Sequence, residues 1–279
     1  MELFLRFPGG KDRALTFSYD DGTEQDARLL DLLAAHGVKG TFNLNSGMFR
    51  PEDRPRSKTA FCRRLSQSEA LDLYSREGAE VALHGLTHGH LEAMGDAQAA
   101  YEILEDKVNL ERMFGKIIHG GAYAYGTYGQ RTGDILKSCG VNYCRTTKST
   151  HGFALPENWF RWDPTCHHTE DLVPELTKKF LETAVKAQPL LFYFWGHTFE
   201  YERDDNWNVA ERFVERMAGR ENIWYATNGE IWRYVTDYRR LETSADGSRV
   251  YNPTASDLWL QRGKEIYLLK SGEERTFPE

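Results

Sequence analysis

The chain has 279 residues, of which 40% are hydrophobic and 28% are charged, so it has the composition of an ordinary globular protein with a sizeable core. Its formal net charge is −7 and its acidic and basic residues are interleaved, which argues against nucleic-acid binding and against a polybasic membrane patch. No apolar run near the amino terminus is long enough for a signal peptide or a membrane span, so a cytoplasmic location is expected.

Short apolar strands alternate with longer amphipathic helices from Ala14 to about Tyr238. Strands are predicted at 14–19, 40–44, 81–83, 117–122, 143–147, 190–195 and 223–226. Helices are predicted near 25–36, 68–77, 97–114, 130–139, 171–187, 206–218 and 229–238. Consecutive βα units of this kind predict parallel strands wrapped by helices, as in an α/β barrel.

Most of these strands end in a polar group that could take part in chemistry: Asp20, Asp21, Asn43, Asn45, His84, Tyr125, His197 and Asn228. In a βα barrel the carboxyl ends of the strands converge on one face, where active sites lie. We therefore expect residues that are distant in sequence to meet in one cleft.

Two connections are longer than usual. The segment 46–65 is rich in basic residues: Arg50, Arg54, Arg56, Lys58, Arg63 and Arg64. It could meet an anionic substrate, but a solvated surface loop is favoured because charge runs are usually exposed. The segment 150–170 contains Trp159, Trp162, Asp163, Cys166, His167 and His168. It is predicted to be a functional loop over the mouth of the barrel.

After Leu241 the pattern changes to short alternating runs separated by Asp246-Gly247, Arg262-Gly263 and Ser271-Gly272. Such pairs favour hairpin turns. We therefore predict a barrel over residues 1–241 and a small β extension over 242–279 that packs on it.

Two segments could together hold a metal ion. One strand runs into Asp20-Asp21-Gly22, where the glycine permits a bend that changes the direction of the second carboxylate. Another ends in His84, and the spacing to His88 lets both imidazoles point to one place. Two nitrogens and one oxygen leave a fourth position open for water, as in catalytic zinc sites. Hydrolysis near neutral pH is the chemistry that such a site favours.

Each motif alone has another interpretation. Asp-Asp-Gly also occurs in ordinary turns and in calcium loops. The His88-Gly89-His90 triplet could indicate a binuclear site of another metal hydrolase. The combination of both motifs at strand ends in one βα series favours a single catalytic metal site.

In these motifs the chain resembles the polysaccharide deacetylase family, the NodB-homology carbohydrate esterases of family 4. Residues 17–22 match the first family motif and residues 84–88 match the second, with Gly85 in place of a hydroxyl residue. The resemblance implies a distorted (β/α)7 barrel. It also implies a general base, Asp20, and three metal ligands, Asp21, His84 and His88.

The remaining family motifs match unevenly. Residues 191–197 fit the last motif, which implies that His197 is a general acid, although a core histidine at a strand end is the alternative. Tyr125-Gly126 are kept from the third motif, which implies that the Tyr125 backbone N–H helps to stabilise an oxyanion. The arginine that would orient the base is replaced by Ala122.

Other residues could supply the missing support by their position in the sequence: Arg145, Arg161, His167 and His168. Trp162-Asp163 loosely resembles the fourth motif, which implies a pocket wall. The candidates for oxyanion or substrate contacts are therefore Tyr125, Asn45, Trp162, His167 and His168.

The resulting hypothesis is a metal-dependent carbohydrate deacetylase. It would remove N- or O-acetyl groups from a sugar substrate by metal-activated water, with Asp20 as base and His197 as acid. Zinc is the expected ion, since the ligands are two nitrogens and one oxygen. Two alternatives stay open: another metal-dependent amidase or phosphoesterase, and a sugar-binding barrel that has lost activity because the third-motif arginine is missing.

Overall fold

The computed structural model of the protein describes residues 3–57 and 59–277. Its strands are β1 Leu3–Arg6, β2 Arg13–Asp20, β3 Gly40–Leu44, β4 Ala79–Leu83, β5 Gly120–Ala122, β6 Tyr143–Arg145, β7 Cys166–His167, β8 Leu190–Gly196, β9 Ile223–Tyr225, β10 Glu242–Thr243, β11 Arg249–Tyr251, β12 Leu258–Arg262, β13 Glu265–Leu269 and β14 Glu274–Thr276. Its α-helices are α1 Asp26–Ala35, α2 Gln67–Tyr74, α3 Asp96–Phe114, α4 Gln130–Ser138, α5 Val173–Glu182, α6 Thr198–Arg203, α7 Asn208–Met217 and α8 Asn228–Arg239. Short 3-10 turns lie at Ser46–Met48, Leu91–Ala93, Ala124–Gly126 and Trp159–Arg161.

The central sheet is parallel and has the order β6-β5-β4-β3-β2-β8-β7, with β9 paired to the start of β2. All eight residues of β2 are buried, because the strand has a neighbour on both edges and side chains against both faces. Helices follow the strands as predicted, so the α/β class and the distorted (β/α)7 barrel are confirmed. The largest difference among the predicted helices is α5, which ends at Glu182 rather than near 187.

The segment 150–170 is not simply a long loop, and this corrects the sequence prediction. Trp162 donates its backbone N–H to the carbonyl of Cys144 at 3.2 Å, and Thr146 donates to the carbonyl of Trp162 at 3.1 Å. Further along, β7 pairs with β8 in parallel. The segment therefore joins β6 to β8 around the barrel. The prediction missed β7 because a two-residue strand cannot show alternation.

Most arginines of the basic segment 46–65 are paired with carboxylates on the barrel. Arg50 and Arg56 contact Glu69 at 3.0 and 2.7 Å, and Arg63 contacts Glu202 at 2.8 Å. Lys58 lies outside the described residues. These pairs favour the interpretation of the segment as a surface loop anchored to the barrel.

The C-terminal strands form two small antiparallel sheets, β1-β12-β13 and β10-β11-β14. Strand β1, from the start of the chain, thus pairs with strand β12 of the extension. Leu258 of β12 packs with Leu5 and with Ile231 of α8 in one buried cluster. Residues 278 and 279 of the predicted extension lie outside the described residues. Within the described ranges no helix combines the length and apolar character needed to cross a membrane.

Candidate metal and catalytic site

The chain turns sharply at the end of β2. Asp20 is the last residue of the strand, and the next two residues have positive φ, 83° at Asp21 and 63° at Gly22. Because of this turn, both carboxylates reach the same group of histidines, whereas neighbours on a regular strand point apart. Asp20 Oδ2 lies 3.7 Å from His84 Nε2, and Asp21 Oδ1 lies 3.6 Å from His88 Nε2.

Asp21, His84 and His88 form a group whose potential ligand atoms all lie within 4.8 Å of one another. The Nδ1 atom of His84 lies 2.8 Å from the carbonyl of Ala122, so Nδ1–H can donate there and leave Nε2 free to bind a cation. Burial lowers the pKa of His84, and burial together with the neighbouring His84 lowers the pKa of His88 to about 4. Both rings are therefore neutral at pH 7, which is the form that binds a metal. The donor set and the protonation states fit a divalent cation.

The group is held by buried polar contacts. Asn45 donates from Nδ2 to the carbonyls of His84 and Gly85, both at 2.7 Å. Arg64 donates to Asn45 Oδ1 at 2.7 Å and to Asp21 Oδ1 at 2.8 Å. The turns that present the aspartate and the first histidine are therefore tied to each other through Asn45 and Arg64.

Asp20 is held by Arg145. The Arg145 guanidinium donates to Asp20 Oδ2, and it also donates from Nε to Ser18 Oγ at 3.2 Å. The guanidinium lies over the ring of Trp195, with the guanidinium carbon 4.1 Å from the ring centroid. Asn43 donates to Asp20 Oδ1 at 2.8 Å. Of the candidates for replacing the missing arginine, the structure places Arg145 beside the carboxylate.

These contacts keep Asp20 ionised. Burial acts to raise the pKa of Asp20, but the charge of Arg145, with contributions from the neighbouring His84 and His197 and from the Arg145 hydrogen bond, outweighs burial and lowers the pKa to about 2. Asp20 can therefore accept a proton at neutral pH. Arg161, another sequence candidate, instead lies near Asp163, with 3.6 Å between its Nε and the carboxylate.

His197 follows β8 and faces Asp20, with 4.0 Å between its Nε2 and Asp20 Oδ2. Its Nδ1 lies 3.2 Å from Glu200 Oε2. Burial acts to lower the pKa of His197, but the hydrogen bond to Glu200 and the charges of Asp20 and Asp21 raise it overall. This favours a protonated imidazole that can donate a proton into the cleft.

Sequence reasoning missed Glu200. This residue occupies the third position of the six-residue helix α6, where its side chain also accepts the backbone N–H of His197 in a capping box. The only signal was its position three residues after a histidine that follows an apolar strand.

The other sequence candidates lie in different surroundings. Tyr125 has a positive φ of 59° and is 57% exposed; its ring centroid is 4.5 Å from that of His88 and 3.8 Å from that of His90. His167 lies beside His197, with ring centroids 6.1 Å apart. Tyr125 and His167 are thus close to the proposed ligand and acid. Within the described residues, His90 is not a member of the metal-binding group.

Trp162 and His168 are buried instead of lining an open cleft. Trp162 packs against Tyr143 and Tyr193, with ring centroids 5.5 and 4.9 Å away. His168 stacks on Tyr201 at 4.1 Å, and its Nδ1 lies 3.2 Å from the hydroxyl of Tyr19. Together with Asn45, which is also buried, these residues support the structure around the cleft.

The first half of the chain matches a known protein family. A family model described as polysaccharide deacetylase matches residues 8–144, which include Asp20, Asp21, His84 and His88. Through this segment, the chain matches the polysaccharide deacetylase family. Members of the family are hydrolases that act on acetyl groups of carbohydrates. A search of curated proteins finds no significant match.

Solved structures of low sequence identity show the same fold as this chain. A polysaccharide-deacetylase-type protein from Mycobacterium smegmatis has a TM-score of 0.57 and 14% identity, with 85% of this chain and 94% of that chain covered. The Xyl-CE4 domain of a xylanase from the hindgut metagenome of Trinervitermes trinervoides has a TM-score of 0.52 and 16% identity over 81% and 92%. Peptidoglycan deacetylase PdaC from Bacillus subtilis has a TM-score of 0.50 and 17% identity over 84% and 95%.

Proposed function

We propose that the chain is a metal-dependent deacetylase that removes an N- or O-acetyl group from a carbohydrate. The observation that carries this proposal is the position of Asp21, His84 and His88 as one group, with Asp20 and His197 directly beside it. A general base, a general acid and a cation site are the three parts that hydrolysis of an amide or ester requires.

Asp21, His84 and His88 would hold the ion, and zinc is the ion we propose because the donor set is two imidazoles and one carboxylate. A bound divalent cation polarises a carbonyl group and lowers the pKa of its bound water to about 7. The ring of Tyr125 packs against His88, so the Tyr125 backbone N–H is our candidate for stabilising the developing oxyanion.

Two side chains of the protein would accept and donate the protons of the reaction. Asp20, oriented by Arg145 and Asn43, takes a proton from the attacking water. His197, whose Nδ1 is held by Glu200, gives a proton from Nε2 to the leaving amine or alcohol. Arg145 gives the base a cationic partner although Ala122 stands in place of the third-motif arginine, which supports an active enzyme over a sugar-binding barrel.

Acetate release tests the proposal. We expect the wild-type chain, loaded with one equivalent of zinc, to release acetate from at least one of a panel of acetylated sugars and oligosaccharides. Asp20→Asn should abolish release, because the amide cannot take the proton, while Asp31→Asn serves as a matched control on an exposed aspartate of α1. Zinc binding without acetate release from any member of the panel would contradict the proposal.

A further inference from the structure

Next to the first group lies a second cluster of metal-binding side chains. The Nε2 atom of His167 and the Nδ1 atom of His197 each lie 3.2 Å from Glu200 Oε2. The potential ligand atoms of these three residues all lie within 4.8 Å of one another. We propose that His167, His197 and Glu200 form a second cation site, for a divalent transition metal such as zinc.

The distances suit this kind of ion. Zinc binds histidine nitrogen and carboxylate oxygen at about 2.0 to 2.2 Å in tetrahedral sites, so two of its ligands are about 3.3 Å apart. The separations of 3.2 Å between the nitrogens and the carboxylate oxygen are close to that spacing. The three side chains are 13 to 24% exposed, so a cation and a water ligand can reach them from solvent.

The surrounding residues hold each ligand in position. The second ring nitrogen of His167, Nδ1, lies 2.7 Å from Thr169 Oγ1, whereas the second nitrogen of His197 is 4.0 Å from Asp20 Oδ2. A hydrogen-bond partner such as Thr169 fixes the orientation of a metal-binding imidazole. Glu200 is held by its place in the first turn of α6, and its second oxygen lies 3.6 Å from Arg203. The donor atoms of His167 and Glu200 are therefore preorganised.

One consequence rests on the proposed function. The Nδ1 atom of His197 would bind the second ion, so it could no longer hold the proton that it shares with Glu200. A metal-bound His197 is also fixed in position. Zinc in excess of the first equivalent should therefore inhibit acetate release.

Binding of zinc alone tests the second site without any substrate. Isothermal titration of the full chain is expected to show two zinc ions per wild-type chain, with the first site binding more tightly. His84→Gln should lose the first ion and keep the second, whereas Glu200→Gln should keep the first and lose the second. Glutamine at position 200 can still accept the capping hydrogen bond, so helix α6 is preserved. His167→Gln is a second variant that should also bind one ion.

A matched control is His151→Gln, since His151 is an exposed histidine that pairs with Glu170 and belongs to neither group. It should bind two ions. The inference is overturned if the wild type binds one ion, or if Glu200→Gln and His167→Gln both still bind two. The readout is stoichiometry, so a chain that binds two ions but releases no acetate refutes the proposed deacetylase function and leaves this second site standing.

Discussion

Ala122 and Arg145 stand opposite each other in the neighbouring parallel strands β5 and β6. Paired residues of adjacent strands project to the same face, so an arginine at 145 can reach the same space as one at 122. Ala122 occupies the position where the family motif has an arginine, and Arg145 donates to Asp20. The guanidinium beside Asp20 therefore comes from β6 instead of β5.

We predict that Arg145→Ala lowers kcat/KM for deacetylation by on the order of 100-fold, because Asp20 loses the group that orients it. The double variant Ala122→Arg, Arg145→Ala should recover part of this loss, since the arginine returns to the same face of the sheet. Activity is measured on the best substrate of the acetate-release panel, with circular dichroism to verify folding.

Arg161→Ala is the control for this experiment, because Arg161 is half-exposed and contacts Asp163 instead of Asp20. It should keep nearly all of the activity. An Arg145→Ala variant that folds and stays fully active would show that Asp20 does not need this partner.

The role of His197 predicts a dependence on the leaving group. His197→Ala should reduce hydrolysis of an N-acetyl sugar by about 100- to 10,000-fold, because an amine leaves only when it is protonated. Hydrolysis of an aryl acetate should fall far less, since a phenolate leaves without a proton. Equal losses on both substrates would argue for a structural role of His197. His151→Ala, on an exposed histidine, is the control.

The hydrogen bonds of the Asn45 side chain lead us to predict that one substitution changes both the stability of the fold and the affinity for zinc. In Asn45→Asp, a carboxylate would replace the amide that donates to the carbonyls of His84 and Gly85. We expect the free energy of unfolding to fall by about 2 kcal/mol, since two buried acceptors lose their donor, and zinc affinity to fall by about 10-fold or more.

Urea unfolding and zinc titration measure the two effects of Asn45→Asp. Asn158→Asp is a suitable control, because the exposed Asn158 side chain acts as an acceptor for Phe160 N–H and aspartate accepts that bond equally well. If Asn45→Asp bound zinc as tightly as the wild type, Asn45 would not be positioning His84.

The buried carboxyl group of Asp26, which is not one of the proposed ligands, leads us to predict a pH dependence of stability. Burial raises the pKa of Asp26 to about 7, although hydrogen bonds from Thr198 and Tyr74 act against it. As the pH rises from about 4 to about 7, the carboxyl group ionises in the unfolded chain but keeps its proton in the folded one. The free energy of unfolding should therefore fall by up to about 1.4 kcal/mol per pH unit in this window.

The comparison with Asp26→Asn isolates this effect, because asparagine has no proton to lose. Urea unfolding in EDTA at several pH values from 4.5 to 7.5 should show the advantage of the wild type shrinking as the pH rises. Asp31→Asn should follow the wild-type curve. Parallel curves for the wild type and Asp26→Asn would show that Asp26 has an ordinary pKa.

The sequence was sufficient for the barrel and for the two segments that meet at the candidate metal site, because both depend on short contiguous patterns. Apolar strands with polar ends predicted the face on which Asp20 and His84 meet. The contact between Arg145 and Asp20 depends on strand register, and a single sequence only offered Arg145 as one of several candidates. Glu200 lies in a helix too short to show periodicity.

Burial also determines which of the candidate residues can line the cleft, and residue type alone does not predict it. Trp162 and His168 have the chemistry of a pocket wall, but the barrel encloses both side chains. Strand β7 was missed for a related reason, since its neighbours provide its pairing and its own two residues carry no pattern.

The two left-handed residues Asp21 and His88 place a limit on how this centre could change during evolution. Few residues other than glycine adopt positive φ, and aspartate, asparagine and histidine do so more readily than the rest. Their φ angles are 83° and 56°. A residue at either position must therefore tolerate a left-handed backbone as well as supply a donor atom. An exchange to glutamate, or to a β-branched residue, would be opposed by the main chain even where its side chain could reach the proposed ion.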